Sequence, residues 1–353
     1  MRTPVGLILA AMVLSGACQK TPPARQNLSH ESTAGSAAGM PVTPPSEPTS
    51  KKTTVTPPVT PVASALPVVP PSPPPTAPAT DPACVPAPDG ATSAKMYPWP
   101  RRAAAYESWC ARFPAPAGYA RQPAAVGTYA HWLRHLPALP VGTSVKDYQG
   151  NTLFSATVMT VSVIDLDVGK EDLQQCMDTI MRLRGEYHWS TGAADRVKFR
   201  YAGGLYFGFS DWQQGLRPEK VGGRTRLMPK AGASSGRKSF QKYLRFMYAM
   251  TGTAHNTQEL PETAATIQPG DFFIEPSPSV QVLGHALIVL DVAVNAKGQI
   301  KAVIAQGYTP ARDLHLLKAP DGSAWFTLDP SAPVTFPSWG NPFAWTQLMR
   351  FRN

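Results

Sequence analysis

Acidic residues, cysteines and long apolar runs are all scarce in this chain of 353 residues, and each scarcity excludes something. Asp and Glu number 23 against 33 Lys and Arg, giving a formal charge of +10. Asp165 and Asp167 close an apolar stretch as an isolated pair. No second carboxylate cluster accompanies them, so the paired acids of a glycosidase are not in evidence and capping of a loop is the simpler reading. The apolar run from Val5 to Leu14 is too short to cross a bilayer as a permanent helix. No repeat with a period of roughly 20–50 residues is apparent, which excludes a solenoid. No ordered basic–aromatic motif argues for nucleic acid. His131 and His135 have the i, i+4 spacing of a zinc pair, but Trp132-Leu133-Arg134 between them lacks the glutamate of a metalloprotease and no third ligand is evident. They read as surface or packing histidines, and neither a metal nor another cofactor is expected.

Proline, by contrast, is abundant. Most of the 39 prolines lie in or near the stretch from Lys20 to about Lys95, which includes "TPPVTPVASALPVVPPSPPPTAPAT". Proline removes backbone donors and few large side chains accompany it, so no core can form there. Residues 19–95 therefore read as a disordered tether, with an extended reach on the order of 200 Å. Ahead of it, "MRTPVGLILAAMVLSGACQK" has a basic start, an apolar run and small residues, the pattern of a secretory signal peptide over residues 1–18. Its end, Leu14-Ser15-Gly16-Ala17-Cys18, resembles a bacterial lipobox with the leucine one place further upstream than usual. That resemblance implies acylation of Cys18 and anchoring to a membrane. Gln19 rather than Asp follows it, which by resemblance to Gram-negative sorting favours the outer membrane, periplasmic side. The positive charge would draw the protein to the cell wall or another anionic envelope polymer, as a monomer and without nucleic acid.

Residues 96–353 suffice for a single globular domain. "GTYAHWLRHLPALP" predicts a short helix over Thr128 to Leu136, and "TVMTVSVIDLDVG" a strand within Thr157 to Val168. "KEDLQQCMDTIMRLRGEYHW" predicts a helix beginning at Asp172, with Gln175 completing a capping box, or else at Lys170. In "SFQKYLRFMYAM", Phe240, Tyr243, Leu244, Met247 and Tyr248 share one helical face. "PGDFFIE", "LGHALIVLDVAVN" and "QIKAVIAQGY" then read as successive strands, the last two joined by a hairpin turn at Asn295-Ala296-Lys297-Gly298. Helices first and an antiparallel sheet later give an α+β class.

The four cysteines divide by position. Cys18 falls in the lipobox, while Cys84 and Cys110 flank the start of the domain and could pair in an oxidising envelope. Cys176 is left over, a thiol either buried or used. A start of the helix at Asp172 would put Cys176 in the first turn, where unpaired amides and the macrodipole favour a thiolate. The same spacing puts Leu173, Cys176, Met177, Ile180, Leu183 and Tyr187 on one apolar face, and cysteine is also a common small core residue. His285 opens an apolar strand and Gln306 lies on the adjacent one, placed to hold one ring nitrogen and leave the other as base. A loop containing Trp212, Arg217 and Gly222-Gly223 could line a ligand groove, or be a solvent loop.

The order Cys176, His285, Gln306, with Pro269-Gly270-Asp271 turning into the sheet, resembles the NlpC/P60 and CHAP papain-like enzymes over about Asp172 to Tyr308. The resemblance implies a papain-like fold, N-terminal helices packed on an antiparallel sheet, and cleavage of amide bonds in peptidoglycan. Cys176 would be nucleophile, His285 general base and Gln306 the orienting residue. The alternative is a non-catalytic wall-binding or structural lipoprotein of the same fold; a metal-dependent hydrolase is a distant third. Across nearly the whole folded segment, "WLRHLPALPVGTSV", "DLDVGKEDLQQCMDTIMRLRGEYHW", "FRYAGGLYFGFSDWQQGLR" and "GHALIVLDVAVNAKGQIKAVIAQGYTPARDLHLLK" together resemble the bacterial family termed domain of unknown function 4846. That resemblance implies a secreted or lipid-anchored envelope protein without an established activity.

Overall fold

The structure is a computed structural model that describes residues 82–84, 90–100, 106–256, 260–261, 267–278 and 282–352. Residues 1–81, with Cys18 and most of the segments read as signal peptide and tether, lie outside the described residues. The helices are α1 (Gly90–Met96), α2 (Trp109–Arg112), α3 (Tyr129–Arg134), α4 (Phe154–Val158), α5 (Cys176–Ser190), α6 (Phe209–Gln213), α7 (Gly236–Met250) and α8 (Thr253–Asn256). The first six strands are β1 (Tyr119–Arg121), β2 (Thr160–Val163), β3 (Lys198–Arg200), β4 (Tyr206–Gly208), β5 (Leu216–Val221) and β6 (Arg224–Pro229). The remaining strands are β7 (Leu260–Pro261), β8 (Phe272–Glu275), β9 (His285–Asn295), β10 (Ile300–Gln306), β11 (His315–Leu317), β12 (Trp325–Leu328) and β13 (Leu348–Arg350).

The sheet is organised around β9. From His285 to Ala293 every residue of this strand is buried, which is why its sequence reads as a continuous apolar run rather than an alternation. Ala286, Ile288 and Leu290 face the main core with α3, α5 and α7, while Leu287, Val289 and Val292 face a second core built on Phe273, Phe336 and Phe343. The sheet has nine strands, with the path β2-β11-β10-β9-β8-β13-β7 and with β1 on β9 and β12 on β10; all its pairings are antiparallel. Helix and antiparallel sheet together make the chain α+β, as the element order implies.

Local reasons account for the main elements. Gly298 turns β9 into β10 with φ of 77°, a left-handed geometry that costs glycine little. The apolar face of α7 is buried throughout, so its amphipathic spacing found the core it requires. Asp291 is wholly buried midway along β9. It is held by Arg134 through Nε at 2.8 Å and Nη2 at 2.7 Å, and by Arg121. A buried carboxylate persists only with such charge-assisted donors. Asp271, in the turn before β8, binds Arg350 of β13 through two bonds of 2.6 and 2.8 Å, so this aspartate ties the sheet to its penultimate strand.

Several boundaries differ from the sequence reading. The strand placed within Thr157–Val168 is only Thr160–Val163, because α4 occupies the residues before it. Helix α1 lies inside the segment assigned to the tether. Its Ser93 is fully buried, and Cys84 forms a disulfide with Cys110 at a Cα separation of 5.7 Å. The folded unit therefore takes in residues upstream of 96. Gly222-Gly223 forms the tight turn of the β5–β6 hairpin.

Candidate functional site

Helix α5 starts later than either alternative drawn from its sequence. Gln175 is the N-cap, Cys176 is the first helical residue, and Asp178 three residues on accepts the Gln175 amide at 3.1 Å. Asp172 does not cap the helix. Its Oδ1 accepts from the amide of Ala311 at 2.7 Å and from Gln175 Nε2 at 3.0 Å, tying the approach to Cys176 to the loop that follows β10. The periodicity of α5 extends backward through Leu173, and this tertiary tie, invisible in the sequence, shifts the true start. Cys176 stands outside the disulfide, at the end of a 15-residue helix where amides lack intrahelical acceptors.

The helix start rests directly on the strand that carries Gln306. A Cβ on Gly307 would lie 2.5 Å from Thr179 Oγ1 and 3.0 Å from the Gln175 carbonyl, so only glycine allows this approach. Thr309 Oγ1 adds a bond of 3.1 Å to Gln175 Oε1.

His285 and Gln306 meet. Ala305 lies opposite Ile288, which brings Gln306 diagonal to His285, and His285 Nε2 donates to Gln306 Oε1 at 2.7 Å. The same oxygen accepts from Ser338 Oγ at 2.8 Å. On its other side Gln306 Nε2 donates to His315 Nε2 at 3.2 Å, and His315 Nδ1 donates to the Asp313 carbonyl at 2.8 Å. A carbonyl can only accept, so the neutral His315 carries its proton on Nδ1 and presents Nε2 as acceptor. The Gln306 amide is thereby oriented, the proton of neutral His285 lies on Nε2, and Nδ1 carries the lone pair.

His285 is buried in aromatic surroundings. The His285 ring stacks on Trp339 at 4.8 Å and 26°, and meets Tyr308 at 4.8 Å. Trp339 Nε1 donates to Glu275, the residue paired with His285 across β8 and β9, and Tyr308 Oη donates to the Ser338 carbonyl at 3.0 Å. Burial lowers the pKa of His285 from 6.5 to about 4, against the opposing effect of the Gln306 bond, with His315 and Arg312 lowering it further. Burial likewise lowers His315 to about 4. Tyr308 also interacts electrostatically with Cys176, which with burial raises its pKa against the nearby Arg312 guanidinium. Tyr308 is thus in contact with the histidine and interacts electrostatically with the cysteine.

The structure brings together His285 and Gln306 at one end of the sheet, and adds His315, Ser338, Tyr308 and Trp339, which the sequence reading did not name; Cys176 is linked to this cluster through its electrostatic interaction with Tyr308. His315 had a signal: it stands in "DLHLLK" as a histidine flanked by apolar residues. Ser338 and Trp339 sit in an irregular segment before β13 and carry none. Trp212 and Arg217 pair with each other, the guanidinium lying 3.5 Å from the indole centroid, while Trp212 Nε1 donates to Ser239 at 3.0 Å. Both groups are thus engaged with protein. His131 and His135 lie with ring centroids 4.3 Å apart and planes tilted by 35°, and among the described residues no group of three or more His, Cys, Asp or Glu could hold a metal ion.

An α+β domain with a cysteine at a helix start and a histidine oriented by a glutamine is the class the fold and site define. The family model described as "Domain of unknown function (4846)" matches residues 110–350, and the chain belongs to that family. No curated protein and no solved structure matches the chain.

Proposed function

We propose that the protein is a cysteine hydrolase of the cell envelope that cleaves an amide bond, with peptidoglycan stem peptides as the substrate class. The observation that carries this reading is the bond from His285 Nε2 to Gln306 Oε1, fixed in direction by His315 and Asp313. It leaves Nδ1 as the basic nitrogen of a histidine whose neighbour Tyr308 also interacts electrostatically with Cys176.

In this reading the Cys176 thiol gives its proton to His285 Nδ1 as sulfur attacks the amide carbonyl carbon. The carbonyl π electrons move to oxygen, and amides at the start of α5 stabilise that oxyanion. Collapse breaks the C–N bond, and the leaving amine takes the proton from Nδ1. Water then adds to the thioester with His285 as base, releasing the carboxylate and restoring the thiol. The papain-like arrangement of the sheet and α5 belongs to the same proposal, as do lipid anchoring through Cys18, an outer-membrane location, monomeric state and attraction to an anionic wall polymer.

One observation favours a second reading, a non-catalytic wall-binding or structural module. His285 is 1% exposed and Cys176 7%, so both could serve as packing groups. Digestion of purified sacculi separates the two. New free amines should appear with wild type and vanish with Cys176→Ala; equal release by both, or none by either, overturns the hydrolase reading.

A further inference from the structure

A cavity of about 190 Å³ lies between α7 and the loop that leads into α5, beside the Arg182–Glu186 side of the helix. Its walls are unusual in how their polar atoms are used. Every carboxylate in the lining already has a guanidinium partner. Asp167 binds Arg182 at 2.6 Å, Glu186 binds Arg237 at 2.6 and 2.7 Å, and Glu171 binds Arg245 at 2.5 Å.

The donors are not so used. Gln174 is 3% exposed; its Oε1 accepts from Arg182 Nη1 at 2.6 Å, which fixes the amide orientation, and its Nε2 has no partner. Tyr248 is 4% exposed and its Oη likewise has no partner. Burial holds the Tyr248 phenol well above its ordinary pKa, so it remains an O–H donor. Lys170, exposed at the margin of the same cavity, has no ion-pair partner among the described residues. Buried donors without acceptors are costly, and a native fold retains them where something else supplies the acceptor.

We infer that this cavity binds the carboxylate of a small ligand, with Gln174 Nε2 and Tyr248 Oη as the buried donors and Lys170 supplying charge at the margin. A carboxylate accepts through both oxygens, which suits two neutral donors and one cation lining the same cavity. A cationic ligand would meet carboxylates already neutralised by arginine. The site does not depend on the hydrolase reading. None of Cys176, His285, Gln306, Tyr308 and Trp339 lines this cavity, so the cavity and the His285 cluster are distinct.

The test is a titration of the full chain, observed by NMR at the Gln174 side-chain amide, with N-acetylalanine and with its neutral primary amide as probes. The carboxylate should give saturable shifts and the amide none. Tyr248→Phe and Gln174→Leu should each weaken binding about tenfold, the loss expected for a hydrogen bond to a charged group. Cys176→Ala should bind as wild type does, so failure of the hydrolase reading leaves this result intact. Equal response to both probes, unchanged affinity in Tyr248→Phe with a native spectrum, or only ordered water on Gln174 Nε2 and Tyr248 Oη in a crystal soaked with the carboxylate would overturn the inference.

Discussion

His285 Nε2 donates to Gln306 Oε1 across 2.7 Å at the buried end of two adjacent strands, and this bond belongs to a line that runs on through His315 to the Asp313 carbonyl. Each group fixes the orientation of the next, so the line specifies a tautomer as well as a position.

The first consequence concerns Gln306. Gln306→Leu keeps the volume roughly but leaves His285 Nε2 and His315 Nε2 buried without their partner. The loss should be about 2 kcal/mol in stability, within the usual range for an orphaned buried polar group. Urea unfolding of wild type and variant at neutral pH measures it. In the proposed enzyme, hydrolysis should fall further than this loss explains.

Acid should weaken the fold through its histidines. His285 and His315 are lowered to about 4 by burial, whereas an unfolded histidine titrates near 6.5. Between these values the unfolded chain binds more protons, so stability is full above about pH 6.5 and falls as the pH drops toward 4. Each histidine accounts for up to about 3 kcal/mol of that loss. His315→Asn should lower stability at neutral pH but flatten the acid decline, as unfolding curves at a series of pH values would show.

Asp291 should tolerate almost nothing. Asp291→Asn leaves Arg121 and Arg134 as buried cations without their shared counter-charge. Breaking such a cluster from one side costs about 3–5 kcal/mol. A large drop in unfolding temperature is expected, and unchanged stability would contradict the packing described for β9.

Gly307→Ala tests how closely α5 is seated. The added Cβ would lie 2.5 Å from Thr179 Oγ1, so the helix start must move or the side chain must turn. Overpacking of this kind costs about 1–3 kcal/mol. Adding Thr179→Ala should recover part of that, and denaturation of the single and double variants reads the recovery.

The core strands were legible because burial on both faces leaves a continuous apolar signature, seen in "HALIVLDVAV", and because α7 has one clean apolar face. The α+β class and the DUF4846 family followed from the same stretches. The start of α5 was not legible, because Asp172 is drawn away by the amide of Ala311, more than a hundred positions along the chain. The pairing of His285 with Gln306 could be named from order and type alone. Ser338 and Trp339 could not, since they complete the cluster from an irregular segment whose sequence has no periodicity. Helix α1 was hidden by its place at the end of a proline-rich stretch.

Alkylation of Cys176 in the native protein, followed by mass spectrometry, bears most directly on the proposed nucleophile. If His285 serves as its base, iodoacetamide should label Cys176 without denaturant, and His285→Ala should slow that labelling by about a hundredfold, the scale of general-base assistance. Labelling only after unfolding, or at the same rate in the folded His285→Ala protein, would contradict the account.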